Sequence, residues 1–440
     1  MIALAVTALL ACLAALVWLF GTTSGTRRLL DTVSAYTGVT LSAARIEGHL
    51  AGTLRLENVD IKLQQMHIRI QHLELTAQTL ELIAGTLRIQ NLSMRNVSIM
   101  DSSPDQPPVM KWPRTSGLIK ALQARIERLE INDLTYRHLE KEPLYIQTIL
   151  ASVAWKNSYL SVNDLKLLSD QGALQGNLTA GFGLPLLEMD LAATPSQRLA
   201  DMEYFHLRGK FEPGQSPQTL AGSLHLAGHQ KLADKQPLWQ MTVDTGMNSE
   251  GFPLKNIRLH RQGGRGLITG EGMLTVSGPE PFLSLQADTT DFDLASILNA
   301  PGNITASLTF AGTPKQYRGQ IRIIHKGKEE PQSIRLAGDY SGNAQRLSLR
   351  DIKGAALDGL LSGQMDINWQ NALTIKGELA GRNLNPARID PGWKGVINFD
   401  LSGNVSIEKQ DKISGKVTCT LKQSHLHGQQ SMKLAQRHTS

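Results

Sequence analysis

From about residue 44 the chain alternates apolar and polar residues with a period of two. Leu54 and Leu56 flank Arg55, and Val59, Ile61 and Leu63 alternate with Asp60 and Lys62. Met66, Ile68 and Ile70 alternate with His67 and Arg69, and Leu73 and Leu75 flank Glu74. Successive side chains of a strand point to opposite faces, so the pattern predicts short strands with one apolar and one wet face. The phase slips every few residues, as turns or bulges require. The texture persists far along the chain: Ile321 and Ile323 enclose Arg322, Leu347 and Leu349 enclose Ser348, and Ile397, Phe399 and Leu401 enclose Asn398 and Asp400. Glycines such as Gly338, Gly342, Gly359, Gly363, Gly377 and Gly381 fall at expected strand ends.

A repeat is visible inside this pattern. GTLRLENV begins at Gly52 and GTLRIQNL at Gly85, with looser copies from Gly222 and Gly395. Repeated strand units suggest a sheet that grows by stacking neighbours rather than around a centre.

The N-terminus breaks the alternation. Residues 1–20, MIALAVTALLACLAALVWLF, contain one polar side chain, Thr7, and the first charge is Arg27. Twenty helical residues span roughly 30 Å, the thickness of a bilayer core. A transmembrane helix is therefore expected over 1–20. Leu4, Leu9, Leu13 and Leu16 would form its apolar body, with Trp18 and Phe20 at an interfacial belt. Arg27 and Arg28 follow it, which by charge alone favours a cytoplasmic body.

The remaining expected organisation is a short amphipathic helix over 26–38, a first β-segment over 44–100, a proline-rich linker over 101–114, a β-sheet body over 115–422 and a disordered polar tail over 423–440. Residues 116–129 suit either a helix or a strand.

Composition adds limits. Aromatic residues make up 5% of the chain, so buried surface is mainly aliphatic. The net charge of +6 comes from 45 Lys and Arg against 39 Asp and Glu, with no basic cluster, so no nucleic-acid partner is expected. Cys12 and Cys419 spell out neither a disulfide framework nor a zinc site. No HExxH, CxxC, GxSxG or Walker sequence occurs, and GGRGLITGEG at 263–272 reads as turn glycines. His225 and His229 lack a helical metal spacing, and Asp291 and Asp293 read as turn residues. No enzyme activity, cofactor or metal is expected.

The residues with a candidate function are thus the apolar ones. A sheet with one apolar face must cover it, by closing a core or by curling into a trough. Both remain open on periodicity alone. Leu54, Leu56, Val59, Ile61, Leu87 and Ile89 are the candidate lining of such a trough.

GTTSG at 21–25, directly after the apolar run, resembles the start of TamB-family proteins. The likeness continues through GVTLSAARIEGHLAGTLRLENVDIKL and HLELTAQTLELIAGTLRIQNLSMRNVSI, and returns in residues 367–403. The resemblance implies an inner-membrane anchor with the body in the periplasm, and an elongated, curled antiparallel β-sheet with an apolar groove. It implies a role in carrying phospholipid towards the outer membrane, in assembling autotransporters and other outer-membrane proteins, or in both. It further implies an outer-membrane barrel partner, TamA, engaged by a C-terminal domain. Compared with the family, this chain is expected to be an N-terminal fragment without that domain or a basic leader. The alternative expectation is a non-transporting structural or adhesive β-repeat protein with a closed core.

Overall fold

The computed structural model describes residues 21–28, 40–78, 81, 85–104, 111–114, 123–139, 141–197, 202–216, 219–231, 236–276, 278, 280–293, 303–326, 334–370, 372–407 and 413–427. The chain forms two compact units, Met1–Glu250 and Gly251–Ser440. The boundary falls inside the stretch 115–422.

Unit 1 contains β1 (Thr40–Gly48), β2 (Thr53–Leu63), β3 (Met66–Gln78), β4 (Thr86–Asp101), β5 (Gln123–His138), β6 (Leu144–Lys156), β7 (Tyr159–Ser169), β8 (Gly172–Gly181), β9 (Leu186–Pro195), β10 (Tyr204–Pro213), β11 (Leu220–His229) and β12 (Trp239–Met247). Each strand pairs with the next in sequence, and all pairs are antiparallel except one. The exception corrects the expectation of a wholly antiparallel sheet. β4 and β5 run parallel, from Thr86 opposite Gln123 to Asp101 opposite His138. A parallel return needs a connection of a dozen or more residues. The proline-rich stretch after Asp101 supplies that length. Residues 102–104 and 111–114 within it have no regular structure. The ambiguous segment 116–129 enters β5 from Gln123 onward.

Unit 2 contains β13 (Gly251–Arg261), β14 (Leu267–Thr275), β15 (Phe282–Asp293), β16 (Asn303–Thr313), β17 (Gln316–Lys326), β18 (Ile334–Asn343), β19 (Arg346–Ala356), β20 (Gly359–Asn368), β21 (Leu373–Leu384), β22 (Lys394–Ile407), β23 (Ile413–Leu421) and β24 (His425–His427). From β13 to β23 each strand pairs antiparallel with the next. β24 pairs with the start of β22, so part of the expected disordered tail is strand. Backbone and side-chain bonds between Ser424 and Asn398 hold it there. A short 3-10 turn, Pro386–Arg388, is capped by the Asn385 side chain accepting from the Ala387 N–H at 3.1 Å.

The membrane-anchor residues Leu4, Leu9, Leu13, Leu16, Trp18 and Phe20 lie outside the described residues. No helix among the described residues is long and apolar enough to cross a membrane. Of the expected amphipathic helix, residues 26–28 are helical, within a helical stretch over 23–28, and 29–38 lie outside the described residues. The Thr23 hydroxyl donates to the Gly48 carbonyl at 2.9 Å, which ties this stretch to the end of β1.

Asn and Asp residues at positive φ set the phase of eight strands. Asn58, Asn96, Asp133, Asp164, Asn256, Asp291, Asp351 and Asn383 all have φ between 49° and 57°. Asn and Asp tolerate this left-handed region better than other side-chain-bearing residues. At each one the positions on the apolar face step by three instead of two: Leu56 to Val59, Met94 to Val97, Ile131 to Leu134, Val162 to Leu165, Leu254 to Ile257, Thr289 to Phe292, Leu349 to Ile352 and Gly381 to Leu384. Without that step the following residue would point to the wet face. Within unit 1 the four carrying strands, β2, β4, β5 and β7, run in one direction, and so do β13, β15, β19 and β21 within unit 2. Partner strands satisfy the displaced N–H groups: Asp164 N–H donates to the Asn177 side chain at 3.0 Å and Asn383 N–H to the Asn398 side chain at 2.7 Å.

Candidate functional site

The phase steps line up apolar residues across each sheet. In unit 2 one row crosses eleven strands in register: Leu254, Gly272, Leu285, Phe310, Gly319, Tyr340, Leu349, Met365, Gly377, Gly403 and Val417. A neighbouring row runs through Leu274, Leu283, Gly312, Tyr317, Gly342, Leu347, Ile367, Ile375 and Val405. In unit 1 a row passes through Ile46, Leu56, Leu73, Met94, Ile131, Ile149, Leu167, Leu174, Ala193 and Phe205. None of these rows carries an acidic or basic residue. Most members are half-buried. The face is therefore shielded by its own curl, with no second layer among the described residues.

Glycine on the apolar face permits that curl. Gly319 lies opposite Tyr340, and Gly342 opposite Tyr317. A Cβ at Gly319 would sit 1.8 Å from the Thr309 carbonyl oxygen and 2.6 Å from the Tyr340 ring. One at Gly342 would sit 2.1 Å from the Arg346 carbonyl oxygen and 2.7 Å from the Tyr317 hydroxyl. Each tyrosine thus lies flat over the glycine of the other strand. Their hydroxyls donate to backbone carbonyls, Tyr340 to Thr309 at 2.8 Å and Tyr317 to Arg346 at 3.2 Å. Glycine kinks covered by aromatic rings bend a sheet while keeping its register. The Phe310 and Tyr317 rings stand 5.5 Å apart and complete the aromatic patch.

The opposite face is polar. In unit 2 Asp366 accepts from Ser348 at 2.6 Å and from Arg346 and Arg350 at 2.9 Å. The Ser348 hydroxyl and the two guanidinium groups hold its carboxyl well below the usual carboxylate range. A hollow of about 830 Å³ is lined both by polar residues, among them Glu271, Gln286, Gln320, Asp339 and Arg350, and by Leu254, Leu285, Phe310 and Tyr340 of the apolar row. At one end of the unit 1 rows, Asp101 accepts from the Ser103 N–H and the Tyr136 hydroxyl, both at 2.9 Å. Bonds from Ser103, then from Tyr136, draw its pKa down to about 2.

The six candidate trough residues all sit on the apolar face, in two different settings. Leu54, Leu56 and Val59 belong to a buried cluster with Ile70, Val97 and Leu134, and Ile61 packs against it. Leu87, opposite Ala124, and Ile89, opposite Ile126, are half-buried on β4. The sheet does not gather the six into one pocket. Sequence reasoning missed the Asn and Asp phase steps. Their signal is the recurring triplet of a polar residue, Asn or Asp, then a large apolar one: ENV at 57–59, RNV at 95–97, NDL at 132–134 and 163–165, KNI at 255–257, TDF at 290–292, RDI at 350–352 and RNL at 382–384. Asp291, read as a turn residue, is one of them. It also missed the paired YRG at 317–319 and YSG at 340–342. His225 lies on the polar face near Ser223, and His229 packs edge-on against Tyr204. Among the described residues no three His, Cys, Asp or Glu side chains are grouped to hold a metal ion.

A single-layer β-sheet, kinked by glycine and carrying an uncharged apolar face, defines a β-groove protein. Residues 303–433, from β16 through β24, match the family model described as TamB, N-terminal domain, and this supports a TamB-family protein. The match includes residues 367–403.

Proposed function

We propose that this chain is a TamB-like envelope protein whose apolar face carries phospholipid acyl chains between the inner and outer membranes. Support for outer-membrane protein and autotransporter assembly is part of the same reading, with TamA as the outer-membrane partner. Residues 1–20 would anchor it in the inner membrane as a single span, with both units in the periplasm. The observation that carries the proposal is the set of uncharged, mainly aliphatic rows whose members are mostly half-buried in a single layer. Such a face offers hydrocarbon about 0.8 kcal/mol per shielded CH₂ and no directional polar group, so chains can slide along it. The family match over 303–433 agrees with this role.

The test is lipid extraction and mass spectrometry of the purified full chain. Phospholipid should co-purify, and Leu379→Glu, on the apolar face of β21, should lower it several-fold without unfolding the protein. A chain free of phospholipid, or one that unfolds on Leu379→Glu, would favour the structural β-repeat reading. One observation favours that second reading locally: the buried cluster on β2–β5 is a closed core.

A further inference from the structure

The polar face of unit 2 gathers cations that the sequence spaces apart. On β17–β19, Arg318, Arg322, Arg335, Arg346, Arg350 and Lys353 stand on the side opposite the apolar rows. Asp366 on β20 accepts from Arg346 and Arg350, each at 2.9 Å, and neutralises part of that charge. Arg318, Arg322 and Lys353 are exposed and have no ion-pair partner among the described residues. Lys376 on β21 and Lys416 on β23 are in the same state, and both lie in register with Asn404 between them. These free cations border a chain of hollows. One of about 420 Å³, lined by Arg322 and Lys353, shares Gln286, Thr309, Gln320 and Asp339 with the 830 Å³ hollow, which reaches Arg318 and Arg350. A third, of about 470 Å³, begins at Arg350 and reaches Lys376 and Lys416. Amides and hydroxyls run along the middle, from Gln286 to Ser402 and Thr418, with Asp339 and Glu378 set among them.

We propose that this trough docks an extended acidic segment of another polypeptide, lying across the strands from β15 to β23. Neighbouring strands are about 4.8 Å apart, so the trough is about 38 Å long and takes about twelve extended residues. Arg322 and Lys353 stand two strands apart, as do Lys376 and Lys416. That spacing is about 10 Å, or about three residues of extended chain. An Asp or Glu at every third position therefore meets a cation repeatedly. The amides and hydroxyls between the cations take the N–H and C=O groups of the docked backbone. Asp339 and Glu378 decide between a peptide and an anionic bilayer. An unbroken layer of phosphates would be repelled at both carboxylates, whereas neutral residues between acidic ones are not.

The docking site uses the face opposite the apolar rows, so it stands or falls independently of the lipid reading. The test is fluorescence anisotropy of a labelled peptide, four repeats of Asp-Ser-Thr, titrated with the full chain. The peptide should bind, its Asn-Ser-Thr counterpart should not, and affinity should fall as salt rises. Arg322→Gln with Lys353→Gln should weaken binding about tenfold and leave the melting temperature in place, since neither side chain has an ion pair to lose. Lys62→Gln with Lys166→Gln, which removes the same charge from exposed positions of unit 1, should leave binding unchanged. Equal weakening by the two pairs would reduce the effect to net charge and overturn the site. So would a peptide that fails to bind, or phosphatidylglycerol vesicles that bind through Arg322 and Lys353 in its place.

Discussion

Eight Asn and Asp residues at positive φ keep the apolar positions of the strands that carry them on one face. A β-branched side chain in that region meets its own backbone, whereas glycine does not. Asn58→Val should therefore cost about 1–2 kcal/mol in urea unfolding, and Asn58→Gly should stay within about 0.5 kcal/mol of the parent. An equal loss from both would show that the Asn58 side chain, not its backbone, matters. Asp101 gives a pH signature. Its folded pKa, about 2, lies below the 3.8 of a free aspartate. The stabilisation is therefore complete above the unfolded value, and is lost as pH falls from about 4 towards about 2. Asp101→Asn should flatten the acid limb of the melting-temperature profile in that window. A limb unchanged by the substitution would count against the bonds from Ser103 and Tyr136.

Strand existence and the two-faced pattern were legible because a period of two is a local property. The stretches around Leu54, Ile321 and Phe399 read as strands and are strands. Their slips were visible, but the residues causing them were not, because a lone Asn or Asp before an apolar residue also marks an ordinary turn. The parallel β4–β5 seam was illegible for a different reason. A proline-rich stretch marks a break, but not the direction in which the chain returns. The reciprocal Tyr317–Gly342 and Tyr340–Gly319 pairs are an element-scale feature, since each needs the register of both strands. Gly319→Ala should cost about 3 kcal/mol, because the new methyl would meet backbone rather than a movable side chain. Gly278→Ala, where the nearest atom would be 3.7 Å away, should cost far less. Similar losses in thermal unfolding would contradict the kink. On β4, Val97→Ala opens a cavity in the β2–β5 cluster and should cost about 2–3 kcal/mol, with the loss visible in denaturant midpoint.

At the scale of the whole molecule, periodicity left open whether the apolar faces close on themselves or lie open. Among the described residues of unit 1, β2–β5 carry a contiguous buried cluster, while on β6–β12 buried residues such as Phe211, Leu220 and Val243 are interspersed with half-buried ones. That distinction depends on curvature, which is set by long-range register and by glycines whose role emerges only against a neighbouring strand. The trough candidates chosen from sequence fall partly in the buried cluster for this reason. The claim on which the functional account depends is that hydrocarbon can touch the half-buried rows. Trp239 lies in register with Gly228 at the end of one such row, so its fluorescence reports on that contact. The direct measurement is quenching by phospholipids brominated on their acyl chains, using a full chain in which Trp239 is the only tryptophan. The account predicts strong quenching, well above that of a chain keeping only Trp369, which is exposed in the turn after β20. Equal, weak quenching of the two would contradict it.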